Sequence, residues 1–294
     1  MLKLNGITKN YGTRQVLGNV SFTVADNRLT GFVGGNGAGK TTTMRIILGV
    51  LAPDGGEVTM NSQPLQTAQR RHFGYMPEER GLYPKMGVLD QVSYFARLHG
   101  FSKRDATHKA TVLLNELDLG ERLNDKIESL SLGNQQRVQI AASLVHDPEV
   151  LILDEPFSGL DPIAVDTVAQ VLQSRAAQGV SVLFSSHQLD VVERLCDDLV
   201  IIAGGEIRAA GSREALREQH ASNQYELMST ADAGWLRTQP GVRVTSFEGG
   251  NAQFIADSPA VAHTVLRTAL THGDVTSFSP LRPSLAQIFK EVIQ

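Results

Sequence analysis

The chain contains one cysteine, Cys196, in 294 residues. No disulfide can close within it, and a reducing compartment suits it. Long apolar runs are missing too. The best candidates, residues 150 to 153 and 199 to 203, are strand-sized, well short of the roughly 20 residues that cross a bilayer as a helix. An integral membrane protein is therefore not expected. The first dozen residues carry no apolar segment of the signal-peptide kind, so secretion is not expected either. Neither sign of charge dominates: 27 Lys and Arg stand against 31 Asp and Glu, a net charge of -4. Such a chain has no general attraction for a phosphate backbone or anionic lipid, and any contact there needs a local patch or a partner protein. Internal repeats, low-complexity tracts and heptads are absent as well. What remains, 41% hydrophobic and 20% charged residues, is an ordinary globular composition. The length suits one large domain or two ordinary ones.

Strand patterns fill residues 1 to 33: Val20, Phe22 and Val24 alternate with Ser21, Thr23 and Ala25. Residues 30 to 33 stop at a glycine cluster, and residues 41 to 48 have helical spacing. Helical periodicity then dominates residues 87 to 146. Strand-like runs return at 150 to 153, 180 to 185 and 199 to 202, with helices expected at 164 to 177 and 188 to 195. This alternation predicts an α/β fold on a parallel sheet, with the helical block, about 78 to 146, as an inserted subdomain. Composition shifts near Arg213. Residues 213 to 221 read as a charged linker helix. Residues 222 to 294 follow the order strand, helix (233 to 238), strand, strand, helix (259 to 272), strand, plus a terminal helix. That is the order of a small α+β domain of the ferredoxin-like kind. This stretch reads as a packing or dimer-stabilising appendage, with a small-ligand sensor as the alternative; nothing in it forms a recognisable ligand or metal set that would choose between them.

Gly34-Gly35-Asn36-Gly37-Ala38-Gly39-Lys40-Thr41 fits G-x-x-x-x-G-K-[ST], and it lies between an expected strand and an expected helix, as the motif requires. Glycines let backbone N–H groups turn inward around a phosphate. The helix start adds its positive dipole end. Lys40, expected to face solvent before a nucleotide arrives, supplies charge to β- and γ-phosphates, and the Thr41 hydroxyl, next to Thr42, can ligate Mg²⁺. Downstream, an apolar strand runs into Asp154-Glu155-Pro156. Asp154 is thereby delivered to the carboxyl edge of the sheet, where it can hold Mg²⁺ directly or through water. Glu155 is placed to polarise an attacking water. Ser185-Ser186-His187 follows another apolar strand, so His187 reaches the same edge and can hydrogen-bond the γ-phosphate and the water.

Together these residues resemble the nucleotide-binding domain of ABC transporters, over roughly residues 1 to 212. Gly34 to Thr41 resembles the Walker A motif, and the strand ending in Asp154 and Glu155 the Walker B motif. Ser158-Gly159-Leu160-Asp161 resembles the D-loop and His187 the switch histidine. Leu130-Ser131-Leu132-Gly133-Asn134-Gln135-Gln136-Arg137 resembles the signature that sets this family apart from other P-loop ATPases. Tyr11 stands where the family places an aromatic side chain that stacks on adenine.

The resemblance implies a P-loop ATPase core that binds ATP with Mg²⁺. It also implies that two such domains sandwich two ATP molecules head to tail, as a homodimer or with a related ATPase. Ser131 and the Gly133 backbone would then reach the γ-phosphate across that interface, and Asp161 of the D-loop would also belong to the nucleotide site. Three positions depart from the family pattern. Leu132 and Asn134 replace the usual Gly and Gln, and Leu132 would be strained if its backbone needed φ > 0. Glu78 stands where most members carry the metal-binding Gln; it offers the same kind of oxygen but adds negative charge. The run Pro77-Glu78-Glu79-Arg80-Gly81-Leu82-Tyr83-Pro84, with the C-terminal stretch Arg282 to Phe289, resembles sodium-extrusion and drug-export ATPases with a small appended domain. The expected function is then the ATPase subunit of an exporter, at the cytoplasmic face of the membrane through a separate integral permease, with no nucleic-acid partner. The competing readings are a soluble ABC ATPase acting on nucleic acid or ribosomes, and a regulatory ATP-binding module without turnover. Glu155 and His187 argue against the latter, which would need neither.

Overall fold

The computed structural model describes residues 1–79, 81–220 and 223–293. Arg80 of the Glu-Glu-Arg run, Ala221 at the end of the expected linker helix, and Ser222 and Gln294 at the ends of the expected C-terminal domain lie outside the described residues. The chain divides into two units, Met1–Arg213 with Ile293, and Glu214–Val292.

In the first unit, β1 (Leu2–Tyr11) and β2 (Arg14–Val24) pair antiparallel as a hairpin. Leu2 and Leu4 face inward with Val20, Phe22 and Val24, which is what period-two alternation dictates for a sheet with one face covered, and a register shift between Leu4 and Ile7 turns Ile7 to the same side. β3 (Leu29–Val33) is buried along its whole length and leads into α1 (Lys40–Ile47). β4 (Gly55–Met60) pairs with β1, and β5 (Gln63–Pro64) with β4, giving a four-stranded sheet in the order β2-β1-β4-β5. The chain then forms β6 (Phe73–Met76) and the helices α2 (Val88–Leu98), α3 (Lys103–Glu116) and α4 (Leu132–Leu144). Val88, Val92 and Ala96 on α2, and Ala106, Ala110 and Leu114 on α3, bury one stripe of each helix at helical spacing.

The rest of this unit is β7 (Val150–Leu153), α5 (Pro162–Ala177), β8 (Ser181–Ser186), α6 (Leu189–Leu195), β9 (Asp198–Ala203) and β10 (Glu206–Ser212). The six-stranded sheet has the order β10-β9-β3-β8-β7-β6, parallel except where β10 runs back along β9. Every residue of β3, β7 and β8 is buried, as expected of parallel strands covered on both faces. Because β3, β7 and β8 are neighbours running the same way, the loops after all three open at one carboxyl edge. The sequence reading missed β4, β5, β6 and β10. β4 and β6 are short and pair with strands distant in the chain, β1 and β7, whereas β5 and β10 are exposed or half-buried partners of the strands just before them and carry no apolar alternation.

α7 (Arg213–Gln219) leads into the second unit, which comprises β11 (Gln224–Ser229), β12 (Val242–Glu248), β13 (Asn251–Ala256), α8 (Pro259–His272), β14 (Val275–Pro280) and α9 (Leu285–Ile293). Its four strands form an antiparallel sheet in the order β12-β13-β11-β14. Leu227, Ala252 and Phe254 on the sheet and Ala262, Val265 and Ala269 on α8 share one core. The helix expected at 233 to 238 is instead a single 3₁₀ stretch, Gly234–Thr238. Its apolar content is too small for a longer helix to bury: only Leu236 is covered.

One histidine ties the end of α4 to this framework. The His146 ring stacks on His99 with centroids 3.8 Å apart, and its Nε2 lies 3.1 Å from the Phe73 carbonyl. Burial first, and the His99 charge second, lower its pKa from 6.5 to about 4; His72 acts in the same direction and Asp147 opposes. The folded ring therefore stays neutral where the unfolded one takes up a proton. Its contribution is complete above about pH 6.5 and is lost as the pH falls towards 4. Melting temperatures recorded between pH 7 and 4 should fall less steeply for His146→Phe than for the parent. Equal slopes would remove His146 from the acid response.

Candidate functional site

The carboxyl edge of the parallel sheet carries an open cleft of about 450 Å³. It is lined by Tyr11, Arg14 and Val16 from the β1–β2 hairpin, by Asn36, Gly37, Ala38, Gly39, Lys40, Thr41 and Thr42, and by Glu78, Asp154 and Glu155. The loop between β3 and α1 is shaped by glycine where nothing else fits. Gly39 sits at φ 111°, and a Cβ there would meet Leu17 Cδ2 at 2.5 Å. A Cβ on Gly34 would meet the Ile202 carbonyl at 2.5 Å. Lys40 is buried and donates to the carbonyls of Gly34 at 2.7 Å and Gly35 at 3.4 Å. It is a charge folded onto its own loop, not one facing solvent.

Asp154, the first residue past β7, is 1% exposed. Its Oδ2 accepts from Thr41 Oγ1 at 2.7 Å and its Oδ1 from Ser185 Oγ at 2.6 Å. The same Ser185 hydroxyl accepts from the Glu155 N–H at 2.8 Å. Glu155 adopts φ 53°, a left-handed conformation uncommon for a residue with a side chain. Its Oε2 lies 2.9 Å from His187 Nδ1; with the carboxylate ionised, Nδ1 is the donor. Burial, followed by the charge of Asp154, raises the Tyr75 phenol above its ordinary value. Tyr11, half exposed beside the left-handed Gly12, stands at the mouth of the cleft.

Thr41 Oγ1 and the Asp154 carboxylate present oxygens side by side, and Glu78 adds a carboxylate to the same cleft. Among the described residues no three His, Cys, Asp or Glu gather as a metal cage. That donor set suits Mg²⁺, which takes one or two carboxylates and leaves its other positions to waters and phosphates.

Ser131, Gly133, Asp161 and His187 do not line the cleft. Ser131 caps α4, accepting from the Asn134 N–H at 3.3 Å, and Asp161 caps α5, accepting from the Ala164 N–H at 2.9 Å. Gly133 lies against Gly159: a Cβ there would sit 3.3 Å from the Gly159 carbonyl. Leu132 is the first residue of α4, 60% exposed, and is not among the residues with positive φ. The strain considered for it does not arise, because an N-terminal helical position asks nothing that Leu cannot provide. Sequence reasoning gave no role to Ser185, Gln136 or Gln139. The signal for the glutamines was two amides three residues apart on an otherwise buried helix face.

A sequence profile described as "ABC transporter" matches residues 17–158, and one described as "ATP-binding protein DrrA1-3-like, C-terminal domain" matches residues 211–293. The chain is 34% identical over 293 residues to the uncharacterized ABC transporter ATP-binding protein YhaQ of Bacillus subtilis, covering 100% of this chain and 98% of that protein. The chain belongs to the ABC transporter ATP-binding proteins. It is also 33% identical over 226 residues to the Nod factor export ATP-binding protein I of Rhizobium sp. (strain N33), covering 76% of this chain and 74% of that one. Among solved structures it resembles that titled "Dimeric Structure of MJ0796, a Bacterial ABC Transporter Cassette", with a TM-score of 0.66, 25% identity, and coverage of 72% of this chain and 98% of that one. This ABC protein is thus an ATP-binding subunit of a transporter, with a P-loop ATPase core that binds ATP and hydrolyses it to drive transport. Among the described residues no helix is long and apolar enough to cross a membrane.

Proposed function

We propose that this ABC protein is the motor subunit of an exporter. It would act through a separate integral membrane permease and pair head to tail, with a copy of itself or a related ATPase, around two ATP molecules. The observation that carries this is the split of its chemical groups. Lys40, Thr41, Asp154 and Glu155 converge on one open cleft, whereas Ser131 and Gly133, at the positive end of α4, lie outside it. A phosphate in that cleft then lacks its last donors until a second subunit supplies them. The export named for the Rhizobium relative and the dimer named for the solved cassette support the same reading. The partner surface is the inserted helical block, where Tyr83, Tyr94 and Leu98 are exposed apolar side chains and Tyr83 meets Tyr94 edge-on at 6.2 Å. On this reading the subunit works at the cytoplasmic face of the membrane, without a nucleic-acid partner.

Within the cleft, Lys40 leaves the Gly34 carbonyl for the β- and γ-phosphates, helped by the N–H groups of residues 37 to 42. Thr41, Asp154 and Glu78 would hold Mg²⁺, which would neutralise charge on the triphosphate. Glu155 takes the proton of the attacking water. His187 keeps the Glu155 carboxylate in place through Nδ1. To reach a phosphate oxygen as well, its ring must carry both protons.

Tyr11→Ala should weaken ATP binding by about 1 to 3 kcal/mol, the worth of stacking one base, while kcat stays at the parent's value. A fall in kcat at unchanged KM would assign Tyr11 another role. The export reading is tested by affinity purification of the tagged chain from detergent-solubilised membranes. One multi-span membrane protein in stoichiometric amount is expected, and its ATP turnover should depend on that partner. Recovery with ribosomes or nucleic acid instead would overturn the reading.

A further inference from the structure

Two buried glutamines on α4 have no part in the chemistry above, yet both touch the segments that carry it. Gln136 and Gln139 are each 4% exposed and lie nearly one turn apart. Gln136 Nε2 donates to the carbonyls of Glu155 at 2.9 Å and Pro156 at 3.2 Å. Gln139 Nε2 donates to the carbonyls of Pro77 at 2.7 Å and Glu79 at 3.3 Å, on either side of Glu78. In both cases one amide nitrogen bridges two backbone carbonyls.

A buried amide is a costly way to fill space, and Gln139 leaves its own Oε1 without a hydrogen-bond partner. Its donors are what justify it there. Glu155 makes the case sharper. Its backbone is held in the left-handed region, its N–H bonded to Ser185 and its carbonyl to Gln136. Such a conformation persists only where the surroundings over-determine it. α4 is also the helix that Ser131 caps. One rigid element therefore joins the segment meant for a second subunit's nucleotide to both acidic loops of this subunit's own cleft.

We infer that Gln136 and Gln139 are positioning residues: through them α4 sets where Glu155 and Glu78 stand in the cleft, so that displacing α4 moves both. The kinetic consequence rests on Glu155 being the general base, as proposed above; the mechanical one does not.

The test uses the full chain and the variants Gln136→Met and Gln139→Met, which keep the side-chain length and remove the donor. Hydrogen–deuterium exchange without nucleotide should quicken in peptides containing residues 154 to 158 for the first variant, and residues 76 to 79 for the second, with the rest of the chain unchanged. Gln136→Met should also lower kcat by roughly 10- to 100-fold, the scale of a small misplacement of a reacting group, with ATP affinity at the parent's value. In Glu155→Gln, adding Gln136→Met should lower the residual rate no further. Should a Met variant fail to fold, Gln136→Asn and Gln139→Asn keep the amide but draw it back by one methylene, and should show the same exchange pattern. Unchanged exchange in these segments overturns the inference. Faster exchange with unchanged kcat overturns the positioning role of Gln136. If Glu155→Gln itself turns over like the parent, the base assignment falls, and exchange alone still decides the clamp.

Discussion

Glu155→Gln should reduce ATP hydrolysis by roughly 10²- to 10⁴-fold, the usual worth of a positioned general base. The substitution keeps size and one acceptor oxygen but cannot take a proton. Binding should survive, since Lys40, Thr41 and Asp154 are untouched and the Thr41–Asp154 hydrogen bond of 2.7 Å does not involve Glu155. Removing a negative charge beside the γ-phosphate should also favour the closed state. At high protein concentration the variant should therefore elute as a dimer with ATP and as a monomer with ADP. Hydrolysis at the parent's rate would show that Glu155 is not the base. Loss of hydrolysis without dimerisation would turn attention to Leu132 and Asn134, which sit beside Ser131 in the first turn of α4.

Lys40→Ala should weaken ATP binding by about 10²-fold or more, because charge-assisted hydrogen bonds are worth about 1.5–3 kcal/mol each and Lys40 is placed to reach two phosphates. The structure adds a consequence for the unliganded protein. Lys40 is buried and donates to the Gly34 carbonyl at 2.7 Å. Truncation removes a buried ammonium but also strips that carbonyl of a donor, so the two effects on folding oppose each other. Isothermal titration with ATP, alongside a thermal melt, separates binding from folding. Parent-like affinity would contradict the assignment of the phosphate loop.

Much of the site was legible because its chemistry is written in contiguous residues. The spacing of Gly34, Gly39, Lys40 and Thr41 is itself the geometry of a loop opening a helix, and β3 and α1 flank it as expected. The strand before Asp154 and the strand before His187 could be read from apolar runs, because parallel strands covered on both faces carry no polar alternation. Two expectations failed for reasons of context. Lys40 looked solvent-facing because a charge without its ligand is expected in water. The turn at Gly234–Thr238 looked helical because a short periodic stretch says nothing about how much surface waits to cover it.

Sequence alone determined the phosphate loop, the acidic pair after β7, His187 and the lack of any membrane-length apolar run, since each depends on residue type and spacing within one segment. Tertiary structure decided what lies between segments distant in the chain. Only the pairing of β7 with β8 brings Ser185 to both Asp154 and Glu155, 31 and 30 residues away. Only the packing of α4 sets Gln136 and Gln139 on two loops that lie 19 to 62 residues from them. A hydrogen bond of 2.6 to 3.3 Å needs both partners placed within a few tenths of an ångström. No periodicity or motif encodes that placement; it arises when the core closes.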